Sequence, residues 1–513
     1  MHDTLPTCSA AGERQTTAGG RPPKSVRVLY WAYLDTHFRE MIRVARMLRR
    51  EAGYEPFFVF AADYPQILRD IKTCDAEGIG FLRFRAKFDP AARLLAAGPA
   101  KGKRPFLQRA WRYSNFKFWG AVGRAKRYLG FALAAEIIRI FRLELWMARK
   151  CVRFVRPDLM VFPEDNVEYC TGAFIKAGHE LGVRSLVIPY TICTSEEPAE
   201  AYYSHDLYQV SKWSNRLTAA IYPQWRLDYK GRSLVRLPAA GILIRHWLNL
   251  APPAPWVWNS GAADRILVES RATFDYFAAS GLDSTRMQIV GSLRMDELAS
   301  HLKSADALRR ELLAKFGLSD QRRLFVCAFP PDQGVRAECE FHDYKQLCDA
   351  WIAALSDIPN SNVLVVPHPR MPQAQVDYLR TSGLHVLEDD ITRCIAVADV
   401  YVASVSATIV LAVAAGKPVI NYDVYRYNYS DYKKLKGVLD VDDVGSFRRV
   451  LKSLATDDVK LEKVRSQQVV LMDAWGSLDG SCSRRLLEQV NELLEVGPCE
   501  ACKHTDQERL RVA

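Results

Sequence analysis

The chain has 513 residues, 49% of them hydrophobic, and 70 Lys and Arg against 59 Asp and Glu give it a net charge of +11. That length is too great for one ordinary core and suits two domains of about 200 to 250 residues each. No apolar run of about 18 residues lacks a charge, which excludes a spanning helix on pattern, and the twelve cysteines, scattered mostly through apolar segments, read as reduced core thiols rather than a disulfide framework.

Residues 1–24 are polar, rich in Gly, Thr and Pro, and lack an apolar signal core; they read as a disordered tail on a cytoplasmic protein. Val26 to Ala32 is a first strand, and Tyr33 to Phe38 reads as a loop leading into an amphipathic helix that ends near Arg50. Thr36 and His37 in that loop are candidates to face a ligand, with simple solvation as the alternative. Phe57 to Ala61 and Gly80 to Phe84 are further strands, and their alternation with helices predicts a parallel, doubly wound sheet. Between Lys101 and Lys150 thirteen Lys and Arg face only Glu136 and Glu144, interleaved with aromatics such as Trp111, Trp119 and Trp146. This basic-aromatic helical region, 101–156, suits peripheral contact with an anionic membrane. The alternative is a solvated basic face over a core-facing aromatic stripe; without a recognised module, nucleic acid is not expected as a partner.

Leu159 to Phe162 is a strand that stops at Pro163 and sets Glu164 and Asp165 at its carboxyl edge. Either carboxylate there can take a proton from a substrate hydroxyl, whereas the competing reading has Asp165 or Asn166 capping a helix from about Val167. Residues 191–258 break the pattern with dense Tyr and Trp, an insertion whose rings can stack on sugars or simply pack. Strands at 264–270 and 286–292 resume the sheet, and a linker is expected between Gly291 and about Asp320.

The second half opens with the strand Leu324 to Phe329, whose following loop carries Gln333 as a candidate ligand-binding residue. A buried strand from Asn362 ends in His368 between two prolines, with Arg370 close behind. Proline stiffens that exit and holds His368 at the edge where open α/β sheets bind ligands. Val400 to Val405 then reads as strand, Ser404, Ser406 and Thr408 as a hydroxyl-lined helix start, and Gly416 and Pro418 as its end. Such a helix start attracts anions; with His368 and Arg370 nearby a phosphate is the natural guest, although the hydroxyls can also serve only as caps. Asp440 and Asp442 read as solvated residues of a connecting segment. Asp479 reads as a cap and Arg484 as an ion-pair residue. Cys499, Cys502 and His504 lack a fourth ligand nearby, so no metal site is expected.

The His-Pro strand end, paired with a Ser-rich turn leading into Ala412-x-x-x-Gly-Lys-Pro-Val-Ile-x-Tyr-Asp423, resembles the C-terminal half of GT-B-fold glycosyltransferases. The likeness is closest to bacterial surface-polysaccharide enzymes of the sialyltransferase-like and CDP-glycerol glycerophosphotransferase-like type, and covers roughly residues 25 to 490. It implies two doubly wound, Rossmann-like parallel-sheet domains facing a cleft. These are an acceptor-side domain over 25–300 and a donor-nucleotide domain over 320–476, followed by a closing helix at 477–496 and a polar tail at 497–513. It further implies transfer from a nucleotide-activated donor to a glycan or lipid-linked acceptor, with no cofactor beyond that donor. Thr36 and His37 would then lie on the acceptor side, and Glu164 or Asp165 would be the base. Similar transferases follow their acidic pair with Gly, where this chain has Asn166. Leu411 stands where UDP-dependent relatives and UDP-GlcNAc 2-epimerases carry a ribose-binding Glu, which favours a CMP- or CDP-type donor. An epimerase-like enzyme and a non-catalytic nucleotide-binding or membrane-associated scaffold are the alternatives.

Overall fold

The computed structural model describes residues 26–83, 130–189, 194–334, 339–429, 432–433 and 435–495. The expected tails, the basic stretch from Lys101 to Leu129 and the Cys499–His504 cluster lie outside the described residues. The chain divides into two compact units, one of residues 1–266, 280–286 and 491–513, the other of residues 267–279 and 287–490.

The first sheet is built from β1 (Arg27–Ala32), β2 (Glu55–Phe60), β3 (Gly80–Arg83), β4 (Leu159–Phe162) and β5 (Arg184–Val187), with β8 (Arg265–Val268) and β9 (Met287–Ile289). β6 (Arg226–Tyr229) and β7 (Arg232–Val235) form a separate antiparallel hairpin. The seven strands lie in the order β3-β2-β1-β4-β5-β8-β9, parallel from β3 to β8. The second sheet holds β10 (Arg323–Phe329), β11 (Ser361–Pro367), β12 (His385–Val386), β13 (Val400–Ala403), β14 (Val419–Tyr422) and β15 (Val438–Val441). Its order is β12-β11-β10-β13-β14-β15, and every pairing is parallel. Both sheets therefore start at a central strand, wind outward one way, and return to wind the other. This is the Rossmann order, with a crevice where the direction switches, between β1 and β4 in one sheet and between β10 and β13 in the other.

The central strands read as continuous apolar runs because both faces are covered. Every residue of β1 after Arg27 is buried, with Tyr30 stacked on Phe58 at 5.2 Å and Trp31 against Phe174 at 4.5 Å between ring centres. In the second sheet Trp351 packs on Tyr422 and Phe447 at 5.5 and 4.9 Å. The helices named below are α1 (Asp35–Ala52), α2 (Gly130–Val155), α3 (Thr171–His179), α4 (Trp213–Ile221), α5 (Ala239–Trp247), α6 (Ile409–Ala414) and α7 (Cys482–Glu495). Among the described residues no helix is long and apolar enough to cross a membrane.

Several sequence expectations change. The stretch read as a linker after Gly291 is two helices, Leu293–Lys303 and Ala305–Ala314. The loop expected through Phe38 is cut short by α1, which starts at Asp35. Asp440 lies on the edge strand β15 rather than in a connecting segment; it is exposed there, as expected, and Asn421 Nδ2 donates to its carboxylate at 2.8 Å.

Aromatic side chains of the insertion mostly pack on one another. Trp225 is fully buried and donates from Nε1 to His246 at 3.0 Å, and Trp256 Nε1 donates to the Trp225 carbonyl at 2.9 Å. At its centre lies Arg236, with no exposed surface. It donates to Tyr202 Oη at 2.9 Å, to Asn166 Oδ1 at 3.0 Å and to the Pro255 carbonyl at 3.2 Å, and it pairs with Glu168. Burial opposes charge on both partners, yet their mutual attraction holds the Glu168 carboxyl below its ordinary value and the guanidinium above its own.

A second polar staple ties α3 and β5 to the start of β8. Asp264 accepts from His179 Nε2 at 2.7 Å, from the Ser185 N–H and hydroxyl at 2.8 and 2.7 Å, and from Arg184 at 3.1 Å. Burial alone would raise this carboxyl, but the donors outweigh it and hold it well below the usual carboxylate range.

Unfolding experiments test both staples. Because the folded-state pKa of Asp264 is depressed, its contribution is complete above the unfolded carboxylate value of about 3.9 and is lost as pH falls through and below it. Asp264→Asn should therefore cost about 2–4 kcal/mol in urea unfolding at neutral pH, and the gap to the parent should narrow below about pH 4; an equal gap at both pH values would refute the assignment. Arg236→Met should cost about 3–5 kcal/mol by leaving Glu168 unpaired, and adding Glu168→Leu should restore a substantial part of the loss.

Candidate active site

The crevice of the first sheet is formed by the residues that follow β1 and β4. Pro163 ends β4, and the next five residues are Glu164, Asp165, Asn166, Val167 and Glu168. The first three of these are buried side chains in a segment without regular structure. The four polar side chains are held by three different parts of the unit.

Glu164 faces His37. The helix α1 begins two residues after Tyr33, so His37 falls in its first turn and points into the crevice rather than lying on an open loop. His37 Nε2 is 3.1 Å from Glu164 Oε1, and the side chains are 0% and 2% exposed. On the other side of the ring, Nδ1 accepts from the Tyr33 backbone N–H at 3.4 Å. An accepting Nδ1 puts the neutral ring's proton on Nε2, towards the carboxylate. Neither Glu164 oxygen meets another hydrogen-bond donor among the described residues. The approach has ion-pair distance without the alignment of a finished hydrogen bond. The Tyr169 ring stands edge-on to His37 at 6.1 Å and lies against Tyr33 at 4.0 Å. Thr36 is half-buried in the same helical turn.

Asp165 has a different task. Its carboxylate accepts from the backbone N–H groups of Ser260, Ala262 and Ala263, the last two at 2.6 and 3.2 Å. The Ser260 hydroxyl in turn donates to the Asp165 carbonyl at 2.6 Å. Burial pushes the carboxyl up to about 6 while those donors pull it down. With its oxygens spent on the loop before β8, Asp165 is a structural anchor, and the two acids that sequence alone left inseparable are separated by their partners. Neither Asp165 nor Asn166 caps a helix at Val167, since α3 starts at Thr171. Instead Asn166 Oδ1 accepts from the Glu168 N–H at 3.1 Å and from Arg236. A glycine there would leave Arg236 short of an acceptor.

In the second sheet the turn after β13 is longer than expected. The strand ends at Ala403, and α6 does not begin until Ile409. Ser406 and Thr408 are engaged with one another at 2.8 Å, and Thr408 with Tyr401 Oη at 2.5 Å, so much of their capacity is used inside the turn. Ser404 differs: its hydroxyl is buried with no partner among the described residues. Between them Val405 has a φ of 44°, a left-handed conformation that β-branched residues rarely adopt. Its N–H is caught by Asn421 Oδ1 at 2.8 Å. Leu411 is buried on α6.

The loops after β11 and β10 leave the same edge beside this turn, as the strand order requires. His368 is half-buried, its Nδ1 accepting from the Arg370 N–H at 3.1 Å and its carbonyl from Met371 at 2.8 Å, while Arg370 itself is exposed. Gln333 is exposed but fixed, accepting from Tyr427 Oη at 2.7 Å.

One further acidic group brings Asp296, Asp479 and Cys482 together. Its geometry is that of a helix cap. Asp296 accepts from the N–H groups of Cys482 and Ser483 at 2.9 and 2.8 Å, and Asp479 accepts from Ser481 and pairs with Arg485 at 2.6 Å. Burial pushes the Cys482 thiol up to about 12, so it stays protonated. The ion partner of Asp479 is thus Arg485, while Arg484 pairs with Glu488 along α7.

Sequence reasoning missed Arg236, Tyr33 and Tyr169. The only signal for Arg236 was a charge set in the apolar run Leu234-Val-Arg-Leu-Pro238; the two tyrosines gave none beyond their place near strand ends.

No family model and no curated protein matches the chain. Among solved structures it is similar to CalG4, the calicheamicin glycosyltransferase, at 14% identity and a TM-score of 0.51, over 92% of this chain and 99% of that one. It is also similar to the UDP-GlcNAc 2-epimerase from Neisseria meningitidis bound to UDP-GlcNAc, at 10% identity and a TM-score of 0.48, covering 91% of this chain and 100% of the other. The wall teichoic acid polymerase TagF matches at 10% identity and a TM-score of 0.47, over 92% and 89% of the two chains. The likeness to CalG4 is one of architecture, and with the two Rossmann-ordered parallel sheets it makes the fold GT-B-like.

Proposed function

We propose that the chain is a glycosyltransferase that moves a sugar, or a glycerophosphate-like group, from a nucleotide-activated donor to an acceptor hydroxyl. The observation that carries this reading is the buried His37–Glu164 pair at the switch point of the first sheet of a GT-B-like fold. A hydroxyl becomes an effective nucleophile when a base takes its proton as the new bond forms. His37 supplies that base and Glu164 orients it. With Nε2–H turned to the carboxylate, Nδ1 is the accepting atom, and its 3.4 Å contact with the Tyr33 amide is long enough to be exchanged for an acceptor hydroxyl. Protonation at Nδ1 makes an imidazolium beside a carboxylate that has no other donor among the described residues, so charge separation is stabilised where it develops. The Tyr33–Tyr169 pair shields the ring, and its displacement admits the acceptor.

The donor belongs to the second sheet. Phosphate oxygens would meet the unpaired Ser404 hydroxyl, the Ser406–Thr408 turn, His368 and Arg370, with Gln333 at the neighbouring loop; the scheme calls for no metal. An apolar Leu411 favours a cytidine-linked donor over a uridine-linked one. A lipid-linked or surface-polysaccharide acceptor, met at the cytoplasmic face of a membrane, agrees with the basic-aromatic composition of 101–156.

Substitution separates these roles. His37→Ala and Glu164→Gln should each lower donor turnover by about 10²–10⁴-fold while leaving nucleotide affinity intact. His368→Ala should weaken nucleotide binding by about 10-fold or more. Calorimetric titration with CMP, CDP, UDP and GDP, alongside turnover of the matching activated sugars or CDP-glycerol, checks both. Normal turnover by His37→Ala would remove the proposed base, and a uridine preference would overturn the donor reading.

A further inference from the structure

Three helices of the first unit lie side by side with apolar side chains turned outward. α4 and α5 run in parallel register: Asn215 Oδ1 accepts from the Ala239 N–H at 3.0 Å near their starts, and Tyr222 stacks on His246 at 3.6 Å near their ends. α5 in turn meets α2, where Arg142 lies over the Trp247 ring at 5.2 Å. Along α4 the outward positions repeat every four residues as Trp213, Leu217 and Ile221, which are 73%, 57% and 56% exposed. Leu243 and Trp247 continue the pattern on α5, and Trp146, 55% exposed, does so on α2. Single exposed apolar residues are ordinary, but helical stripes on adjoining helices form a patch that needs a partner.

The charge around this patch is predominantly positive. Neither α4 nor α5 contains an acidic residue, and between Ile137 and Val155 α2 carries Arg139, Arg142, Arg149, Lys150 and Arg153 against Glu144 alone. Lys150 lies over the Trp146 ring at 5.8 Å. Between α2 and α5 there is a cavity of about 690 Å³ lined by Arg142, Trp146, Arg149, Lys176, Trp247 and one acid, Glu180, which pairs with Arg149 at 2.6 Å and Lys176 at 3.3 Å, so three cations face a single carboxylate. Tryptophan rings beside Arg and Lys, on helices whose other faces are packed, suit the boundary between acyl chains and anionic headgroups: rings enter the interface and cations stay at phosphate level.

We propose that the outward face of α4, α5 and α2 docks on an anionic phospholipid bilayer, with Trp213, Leu217 and Ile221 inserted and the cavity beside Arg142 taking a headgroup phosphate. This deepens the membrane contact offered under the proposed function, but it assigns that contact to the aromatic insertion together with α2, rather than to residues 101–129, and does not depend on the transfer chemistry.

The test is co-sedimentation of the full chain with vesicles of phosphatidylcholine, alone or with about 30% phosphatidylglycerol. The expected result is binding to the anionic vesicles only. Trp213→Ser combined with Leu217→Ser and Ile221→Ser should lower it at least tenfold, with the melting temperature unchanged because these side chains touch solvent in the free protein. Arg142→Glu with Lys150→Glu provides an independent variant and should lower binding by a similar factor. An unbound parent chain, or parent-like binding by both variants, would overturn the proposal. If neutralising the cations of 101–129 alone abolished binding while the serine variant bound normally, membrane contact would survive and this docking face would not. Ultracentrifugation decides against a lipid partner if the parent is a dimer and the serine variant a monomer, since a second copy would then cover the patch.

Discussion

Setting four polar side chains, three of them buried, within the six residues after β4 demands partners, and much of the first unit is arranged to provide them. An isolated charge in an apolar interior is far too costly to survive unpaired, so the segment is stable only when its partners are in place. Asp165 takes the loop before β8, Asn166 and Glu168 take Arg236 from the insertion, and Glu164 is left with His37. The division matters for chemistry. Three of the four are engaged and hold the backbone; the fourth keeps two carboxylate oxygens that meet, among the described residues, no donor other than the imidazole they face. A site gains precision when its reactive pair is framed by groups that cannot move, and the framing here comes from residues up to 98 positions away in sequence.

The second sheet shows the same economy with backbone in place of charge. Val405 occupies a conformation costing on the order of 1–3 kcal/mol, and the Asn421 side chain, itself braced by Asp440 on β15, holds it there. The bend turns Ser404 inward at the carboxyl edge of β13, where its buried hydroxyl has no partner among the described residues. Strain and an unsatisfied donor at one turn of a switch point are what a nucleotide-binding edge would require, and they stand beside the loops that carry His368 and Gln333.

Much of the architecture was legible because local pattern carries it. Apolar runs ending in Pro163, Pro330 or His368-Pro marked buried parallel strands, and the residues that follow them lie at the carboxyl ends of those strands in both sheets. What failed was pairing. Glu164 and Asp165 are adjacent and chemically alike, so only partners 127 and about 95 residues distant distinguish them. Arg236 was equally opaque, since its acceptors lie far upstream. Asp440 was misread because a four-residue edge strand with an acid inside it resembles a loop, and the amide that binds it comes from the neighbouring strand. Serine spacing likewise suggested a helix start at Ser406, whereas the strained Val405 and the Tyr401–Thr408 contact delay it to Ile409.

The central claim is that His37 and Glu164 act as one unit, and a double-mutant cycle on single-turnover donor consumption tests it most directly. His37→Ala, Glu164→Gln and their combination would be compared with the parent at saturating donor and acceptor. If the carboxylate works through the imidazole, the double variant should be no slower than His37→Ala alone, because removing the second member of a coupled pair costs little once the first is gone. Independent, multiplicative losses would mean that Glu164 acts on the substrate without the histidine, and would contradict the role assigned to the pair.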